Sequence, residues 1–218
     1  MAEHVGNVRY GQLDEEFVAS LYAVTEAQDA PFYMLNLMKY REWADYPDGR
    51  PGITGRAADD LYAPLEVLAE IGAEVVFFGD VVEHCRGDEG WDRVAIVHYP
   101  SIRSFVDMQN WPDFIAQHVH KDAGMERTII ALCHPVAGGV SAGSRVLVDL
   151  VSDVDPDPTP MPGQLLLRVD GTPVGDGRSW GTVRITGLAD GVEAGDQLLG
   201  DAGHASSVAV LALINALP

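Results

Sequence analysis

Val76–Ser101, VFFGDVVEHCRGDEGWDRVAIVHYPS, and Leu165–Asp190, LLLRVDGTPVGDGRSWGTVRITGLAD, align without a gap at an offset of 89 residues. Each reads as an apolar strand, a charged turn containing glycine and a second apolar strand, which is the pattern of a β-hairpin. The offset places Trp91 on Trp180, Val94 on Val183 and Ile96 on Ile185, the only identities in 26 positions, and sets the N-cap residue Ser101 against Asp190, another N-cap type. A shared hydrophobic pattern with a shared turn predicts two copies of one unit.

Around the first hairpin, PFYMLNLMKY (Pro31–Tyr40) has the aromatic and aliphatic content of a buried strand. Asp14 to Ala27 reads as a helix, with Phe17, Leu21 and Val24 on one face and acids in the first turn. Asp59 to Ile71 is a second helix ended by Gly72. Ala73–Glu83 and WDRVAIVHY are the hairpin strands, Ser101 caps a helical stretch that Pro112 interrupts and that continues to Gly124, and MERTIIALC closes the unit. The order strand, helix, strand, strand, helix, strand is the split βαβ, or ferredoxin-like, arrangement.

In the second copy LVDL stands where the first has MLNL, but Pro156, Pro158, Pro160 and Pro162 forbid a helix in the segment that follows. The expected fold class is therefore α+β: a ferredoxin-like βαββαβ domain over residues 1–135, a linker over 136–144, and a shortened, degenerate copy over 145–218 that has lost its first helix and ends in the strand SVAVLALINAL. The two antiparallel sheets are expected to pack as a dimeric-α/β-barrel-like pair. An internal pair of this kind predicts a monomeric pseudo-dimer, whereas a second copy that leaves the first sheet uncovered predicts a homodimer.

Composition narrows function by exclusion. Lys and Arg total 14 against 33 Asp and Glu, a net charge of −19 that repels phosphate backbones and anionic lipid, so neither nucleic acid nor a membrane surface is expected as a partner. There is no run of 18 apolar residues and the opening MAEHVGNVRYGQLDEE lacks the features of a leader. Cys85 and Cys133 fall in separate elements with no metal-ligand spacing and read as reduced core thiols, consistent with a cytoplasmic protein.

MLNLMKYR, the helix start GRAADDLY, IGAEVVFFGDV, WDRVAIVHYPS and FIAQHVHKDAGMERT together resemble the domain of unknown function 1330 family of the dimeric α/β-barrel superfamily, over roughly Pro31 to Pro135. The resemblance implies a barrel enclosed by two ferredoxin-like sheets, with a ligand held between sheet and helices or inside the barrel. That family favours Arg where this chain has His118 to Lys121, so no role of that arginine carries over. Relatives in the superfamily include cofactor-free monooxygenases, haem-handling proteins, lyases and isomerases, and a fold does not choose among chemistries.

The residues suggest a site of their own. Met34, Asn36 and Met38 share one face of the first strand, where a buried amide either ties down backbone or orients a ligand. His98, on the face of Val94 and Ile96, is placed near Asn36 as a proton carrier or, equally, as a satisfied structural group. Tyr62, Arg56 and Asp60 gather at the second helix, and Lys121 with Arg127 offers a cationic spot for a carboxylate. His118 and His120 stand two apart on a helix, about 200° around its axis, and cannot share a metal ion. His118 with Asp122 has a permitted spacing but no accompanying metal motif, and no metal site is expected. The expected function is small-molecule binding, with cofactor-independent lyase, isomerase or monooxygenase chemistry on an oxygenated or carboxylated metabolite. His98, Asn36, Tyr62 and His118 are the catalytic candidates, and Arg56, Met34, Met38, Lys121 and Arg127 the binding candidates. The alternatives are a noncatalytic ligand-binding or scaffold protein and a haem or metal binder.

Overall fold

A computed structural model describes residues 8–50, 52–140, 143–152, 159–198 and 205–218. Pro156 and Pro158, Ser141 and Ala142 of the expected linker, and the stretch Met1–Asn7 lie outside the described residues. The elements in chain order are β1 (Gln12–Leu13), α1 (Glu15–Tyr22), β2 (Phe32–Tyr40), α2 (Gly55–Tyr62), α3 (Leu65–Glu70), β3 (Glu74–Arg86), β4 (Arg93–Tyr99), α4 (Ile102–Met108), α5 (Pro112–Gly124), β5 (Met125–Gly138), β6 (Arg145–Val151), β7 (Gln164–Gly175), β8 (Thr182–Gly187) and β9 (Ala205–Asn215). Single 3-10 turns occupy Glu26–Gln28 and Ala194–Gln197.

Every strand pairing is antiparallel, in the order β1-β7-β5-β2-β4-β3-β9-β6-β8 with β8 returning to β7. Eight strands, β2 to β9, thus close into a barrel, and β1 is a two-residue addition along β7. The strands of residues 32–138 lie in the order fourth, first, third, second, and those of residues 145–215 lie in the same order. Closure is made where the last strand of each set meets the second strand of the other, β5 on β7 and β9 on β3.

Alternation along each strand divides the side chains between two cores. Leu35 and Leu37 of β2, Val94 and Ile96 of β4, Val148 and Leu150 of β6, and Val183 and Ile185 of β8 point inward, and Trp91 and Trp180 join the same cluster. The barrel interior is lined by a continuous cluster of its own apolar side chains. A second core lies outside it, where Phe32, Met34, Val97, Tyr99 and Leu132 pack under helices that contribute Leu21, Val67, Val106 and Phe114.

Local sequence accounts for most boundaries. Asp14 accepts from the Phe17 N–H and Ser101 from the Ser104 N–H, each capping a helix, and Pro112 restarts the chain as the first residue of α5. Three expectations need correction. The helix expected over 59–71 is two short ones, beginning at Gly55, because Pro64 breaks it. The helix expected to Ala27 ends at Tyr22. The linker expected from residue 136 is partly strand: β5 runs on to Gly138, because Pro135, Ala137 and Gly138 pair with Leu167, Leu166 and Leu165.

The position on β6 that matches Asn36 by place in the strand order holds Asp149, only 3% exposed. Its carboxylate accepts from Ser207 Oγ of β9 and lies 3.4 Å from Arg184 Nη1 of β8. Removing one partner of such a buried pair strands the other charge. Arg184→Met is therefore expected to lower unfolding free energy by about 3 kcal/mol, read as a lower urea midpoint at unchanged slope; a loss below a few tenths would show the pair to be solvated.

Candidate functional site

Between the outer face of the barrel and the helices lies a cavity of about 390 Å³. Its floor is Met34 and Asn36 of β2, Ile130 of β5 and Val174 of β7, and its roof comes from α1, α4 and α5. Tyr62 at the end of α2 and Val8, Tyr10 and Leu13 of the N-terminal segment complete one end. Tyr22 and Ile115, the large apolar lining residues that remain exposed, mark the mouth.

Helical spacing selects which α5 residues reach the cavity. Phe114, His118 and Lys121 recur at intervals of four and three, so they share a face. His120 falls on the other side, where its Nδ1 is 2.7 Å from the Tyr46 hydroxyl. No group of three or more His, Cys, Asp or Glu placed to hold a metal ion occurs among the described residues.

The cavity is polarised along its length. Leu21, Met34, Tyr99, Phe105, Val106, Met108 and Phe114 make the more apolar end, with Gln109 and Asn110 next to Met108 also in the lining. Tyr10, Tyr62, His118 and Lys121 make the other. There His118 Nε2 lies 3.4 Å from the Tyr10 hydroxyl, with the Tyr62 and Phe114 ring centroids each 5.8 Å away. Desolvation, reinforced by the charge of Lys121, lowers the His118 pKa to about 4, so the imidazole is neutral at pH 7.

Lys121 is 6% exposed. Its Nζ lies 5.0 Å from the Tyr62 ring centroid and 5.7 Å from that of Tyr10, and no carboxylate forms an ion pair with it among the described residues. The nearby acids are engaged elsewhere: Asp59 accepts from the Tyr40 hydroxyl at 2.6 Å and lies near Arg93, while Asp122 accepts from the Arg9 N–H. Desolvation lowers the Lys121 pKa to about 8, against a smaller raising effect of Asp59. Asn36 donates from Nδ2 to the Met34 carbonyl at 3.2 Å, and its own carbonyl oxygen has no partner among the described residues.

The position of this polar end depends on a close approach of α2 and α5. A Cβ on Gly124 would stand 2.5 Å from the Gly55 carbonyl oxygen, and one on Gly55 would stand 2.4 Å from that of Gly124. The two helices that carry Tyr62 and Lys121 can therefore touch only through glycine.

Of the residues read from sequence, Asn36, Tyr62, His118, Met34 and Lys121 line this cavity together. The others are elsewhere. His98 lies across the sheet from Asn36: Asn36 pairs with Ala95, so its face is shared by Arg93, Ala95 and Val97, whereas His98 pairs with Tyr33 and meets its ring at 5.1 Å beside the barrel interior. Strand parity, not distance along the chain, separates them. Arg56 is held by Asp80 at 2.6 Å, and Arg127 is exposed and donates to the Glu89 carbonyl, so neither joins Lys121. Met38 packs with Tyr40 and Met125, outside the cavity lining. Tyr10, Tyr99 and Met108 line the cavity though sequence did not point to them, and Asp122, weighed there only as a metal ligand, lines it too. Tyr10 carries no periodic signal, since it reaches the site through an irregular segment fixed by the bond from the Thr128 N–H to its carbonyl.

Two crystal structures of RPA0582, a protein of unknown function from Rhodopseudomonas palustris, resemble this chain. The methylated form is 31% identical over 60% of this chain and 98% of its own, with a TM-score of 0.53. The other is 30% identical over 59% and 98%, with a TM-score of 0.52. The chain belongs to the family of RPA0582. That family assigns no activity, and part of this chain has no counterpart in it. A Lactobacillus acidophilus NCFM protein proposed as a monooxygenase superposes over 84% of this chain at 11% identity, but at a TM-score of 0.43 the likeness carries no argument. No family model and no curated protein matches the chain, so kinship with the domain of unknown function 1330 family is carried only by the residues quoted for it. Among the described residues no helix is long and apolar enough to cross a membrane.

Two outcomes follow from this geometry. Gly124→Ala should cost about 1–3 kcal/mol by overpacking, lowering the thermal midpoint, and an unchanged midpoint would mean that the helices separate freely. For His118 the folded pKa lies below the ordinary value of 6.5, so between about pH 6.5 and 4 the unfolded chain binds the extra proton and stability falls with pH. His118→Gln should remove that component, on the order of 3 kcal/mol across the window. Parallel urea-unfolding free energies for wild type and variant from pH 7 to 4 would refute it.

Proposed function

We propose that the protein binds a small oxygenated organic molecule with an apolar body in this cavity and transforms it by the acid–base chemistry of its own side chains. The observation that carries this is Lys121: a cation 6% exposed, in the wall of a cavity, without a carboxylate partner among the described residues. Burying an ammonium group is costly, and a ligand oxygen at its Nζ would offset that cost.

In this reading a ligand carboxylate or carbonyl oxygen sits at Lys121, the Tyr10 and Tyr62 hydroxyls donate to it, and the Asn36 carbonyl accepts from a ligand hydroxyl. His118, neutral at pH 7, holds a proton donor or acceptor in place. Met34 and the aromatic end take the apolar part. His98, Arg56, Arg127 and Met38 have no part in it, since they do not line the cavity. Lyase, isomerase and monooxygenase chemistry on a carboxylated or carbonyl compound all fit such a site. Noncatalytic binding in the same cavity is the second reading, favoured by the cation–π contacts that already steady Lys121.

The identical strand order of the two barrel halves, together with Trp91 and Trp180 at matching places in both, supports reading the chain as an internal pair of ferredoxin-like units closed into one barrel. In the second unit Arg184 and Ser207 flank Asp149 and bond it, whereas Ala95 and Ile130 flank Asn36 in the first and offer it no polar side chain, so the proposal places one ligand on each chain.

The test is binding by calorimetry and thermal shift with phenylacetate, medium-chain carboxylates and matching ketones. A true ligand at a hundredfold excess over Kd should stabilise the wild type by about 2.7 kcal/mol. Met34→Trp, which fills the cavity from its floor, should abolish that binding, and Lys121→Met should weaken it at least tenfold. Undiminished binding to Met34→Trp would place the ligand elsewhere. Conversion of the bound compound, followed by NMR, separates an enzyme from a binding protein.

A further inference from the structure

Twelve of the fourteen cationic side chains in this sequence are arginines, and the two lysines are Lys39 and Lys121. They have opposite surroundings. Lys39 is part-exposed and lies 3.3 Å from Asp92. Lys121 is buried in the wall of the cavity with no ion pair among the described residues. Arginine suits a fixed buried charge because it keeps its proton, whereas a lysine in an apolar site can give the proton up and expose a nitrogen lone pair. The use of lysine at this one buried position therefore points to chemistry at nitrogen beyond charge alone.

We propose that Lys121 is a nucleophile that forms a reversible Schiff base with the carbonyl carbon of an aldehyde or ketone held in the cavity. The inference rests on the ligand site argued above and names what that site does to its ligand. The unprotonated amine adds to the carbonyl carbon, forming a C–N bond and a carbinolamine. Loss of the oxygen as water leaves the imine, so amine and carbonyl are converted to imine and water, and hydrolysis runs the same steps back. An apolar setting that desolvates the amine favours the addition. Here the Lys121 pKa of about 8 leaves a usable unprotonated fraction near neutrality.

Groups that could move the accompanying protons are in place. Tyr10 and Tyr62 present their rings to Lys121, and His118, three residues earlier on the same face of α5, is near enough for the lysine charge to depress its pKa. The carboxylates that would hold the amine protonated are occupied, Asp59 by Tyr40 and Arg93 and Asp122 by Arg9. The cavity also sets the class of carbonyl compound. Phe114 and Lys121 are seven residues apart on α5, about 10 Å along its axis. A compound with its carbonyl at Lys121 thus reaches the aromatic end with a body the size of an aryl ring and a short chain.

The chain supplies its own control, because only two lysines compete. The full-length protein is incubated with phenylacetone and sodium cyanoborohydride, which reduces an imine to a stable secondary amine, and each lysine-containing peptide is followed by mass spectrometry. Lys121 should gain the phenylacetone-derived mass at least tenfold faster than Lys39, phenylacetate should suppress that gain, and Lys121→Arg should show none at position 121. Labelling of the two lysines at equal rates, or of Lys39 alone, overturns the nucleophilic role. If phenylacetate still binds in a manner abolished by Met34→Trp, only this inference falls, and if that binding is absent as well, the ligand site falls with it.

Discussion

Closure of the sheet is the constraint on which the rest of the structure depends. β3 and β5 are the long outer strands of the first set, and each would present a row of unpaired N–H and C=O groups if that set stood alone. The second set covers both, β9 along β3 and β7 along β5. Polar contacts then join the two sets. The Trp91 Nε1–H donates to Ser206 Oγ at 2.8 Å, and Glu89 in the first hairpin turn pairs with Arg178 in the second. Once the barrel is shut an apolar cluster lines its interior, and the cavity described above lies on the outside.

Helices make that possible on one side only. The first set carries α2 and α3 in one crossover and α4 and α5 in the other, and their packing leaves a cavity over Met34, Asn36 and Ile130. The described part of the second set supplies one 3-10 turn in place of helices. Its sheet face is closed locally instead, with Asp149, Arg184 and Ser207 satisfying one another. The two halves thus share a strand order and a barrel interior but divide the labour: one completes the barrel while the other houses polar groups that their immediate neighbours leave available.

Much of this architecture was legible because it is written in short-range pattern. The 89-residue offset recovers both hairpins, β3 with β4 and β7 with β8, to within a residue or so at most ends. Asp14, Ser101 and Pro112 mark helix starts through capping and fixed φ, and alternation along β2 correctly put Asn36 with Met34 and opposite Leu35. Pro64 marked a helix break that the apolar spacing of Leu61, Tyr62, Leu65 and Leu68 concealed. Within the site, Asn36, Tyr62, His118, Met34 and Lys121 could be named from sequence because each is a polar or adaptable residue on an otherwise apolar face.

The sequence by itself determined strand alternation, helix caps, the two hairpins and the polar residues on apolar faces, because those depend on neighbours a few positions away. Only the tertiary structure decided which of those residues meet. The pairing register sent His98 to the opposite side of the sheet from Asn36, and ion pairing drew Arg56 to Asp80. Tyr10 entered the site through a loop with no periodicity, and the Gly55–Gly124 contact brought Tyr62 over Lys121. The absence of an ion pair at Lys121 among the described residues was decided there too, since Asp59 and Asp122 are engaged by residues far away in sequence. Burial and long-range partnering are properties of the closed barrel, and no local pattern encodes them.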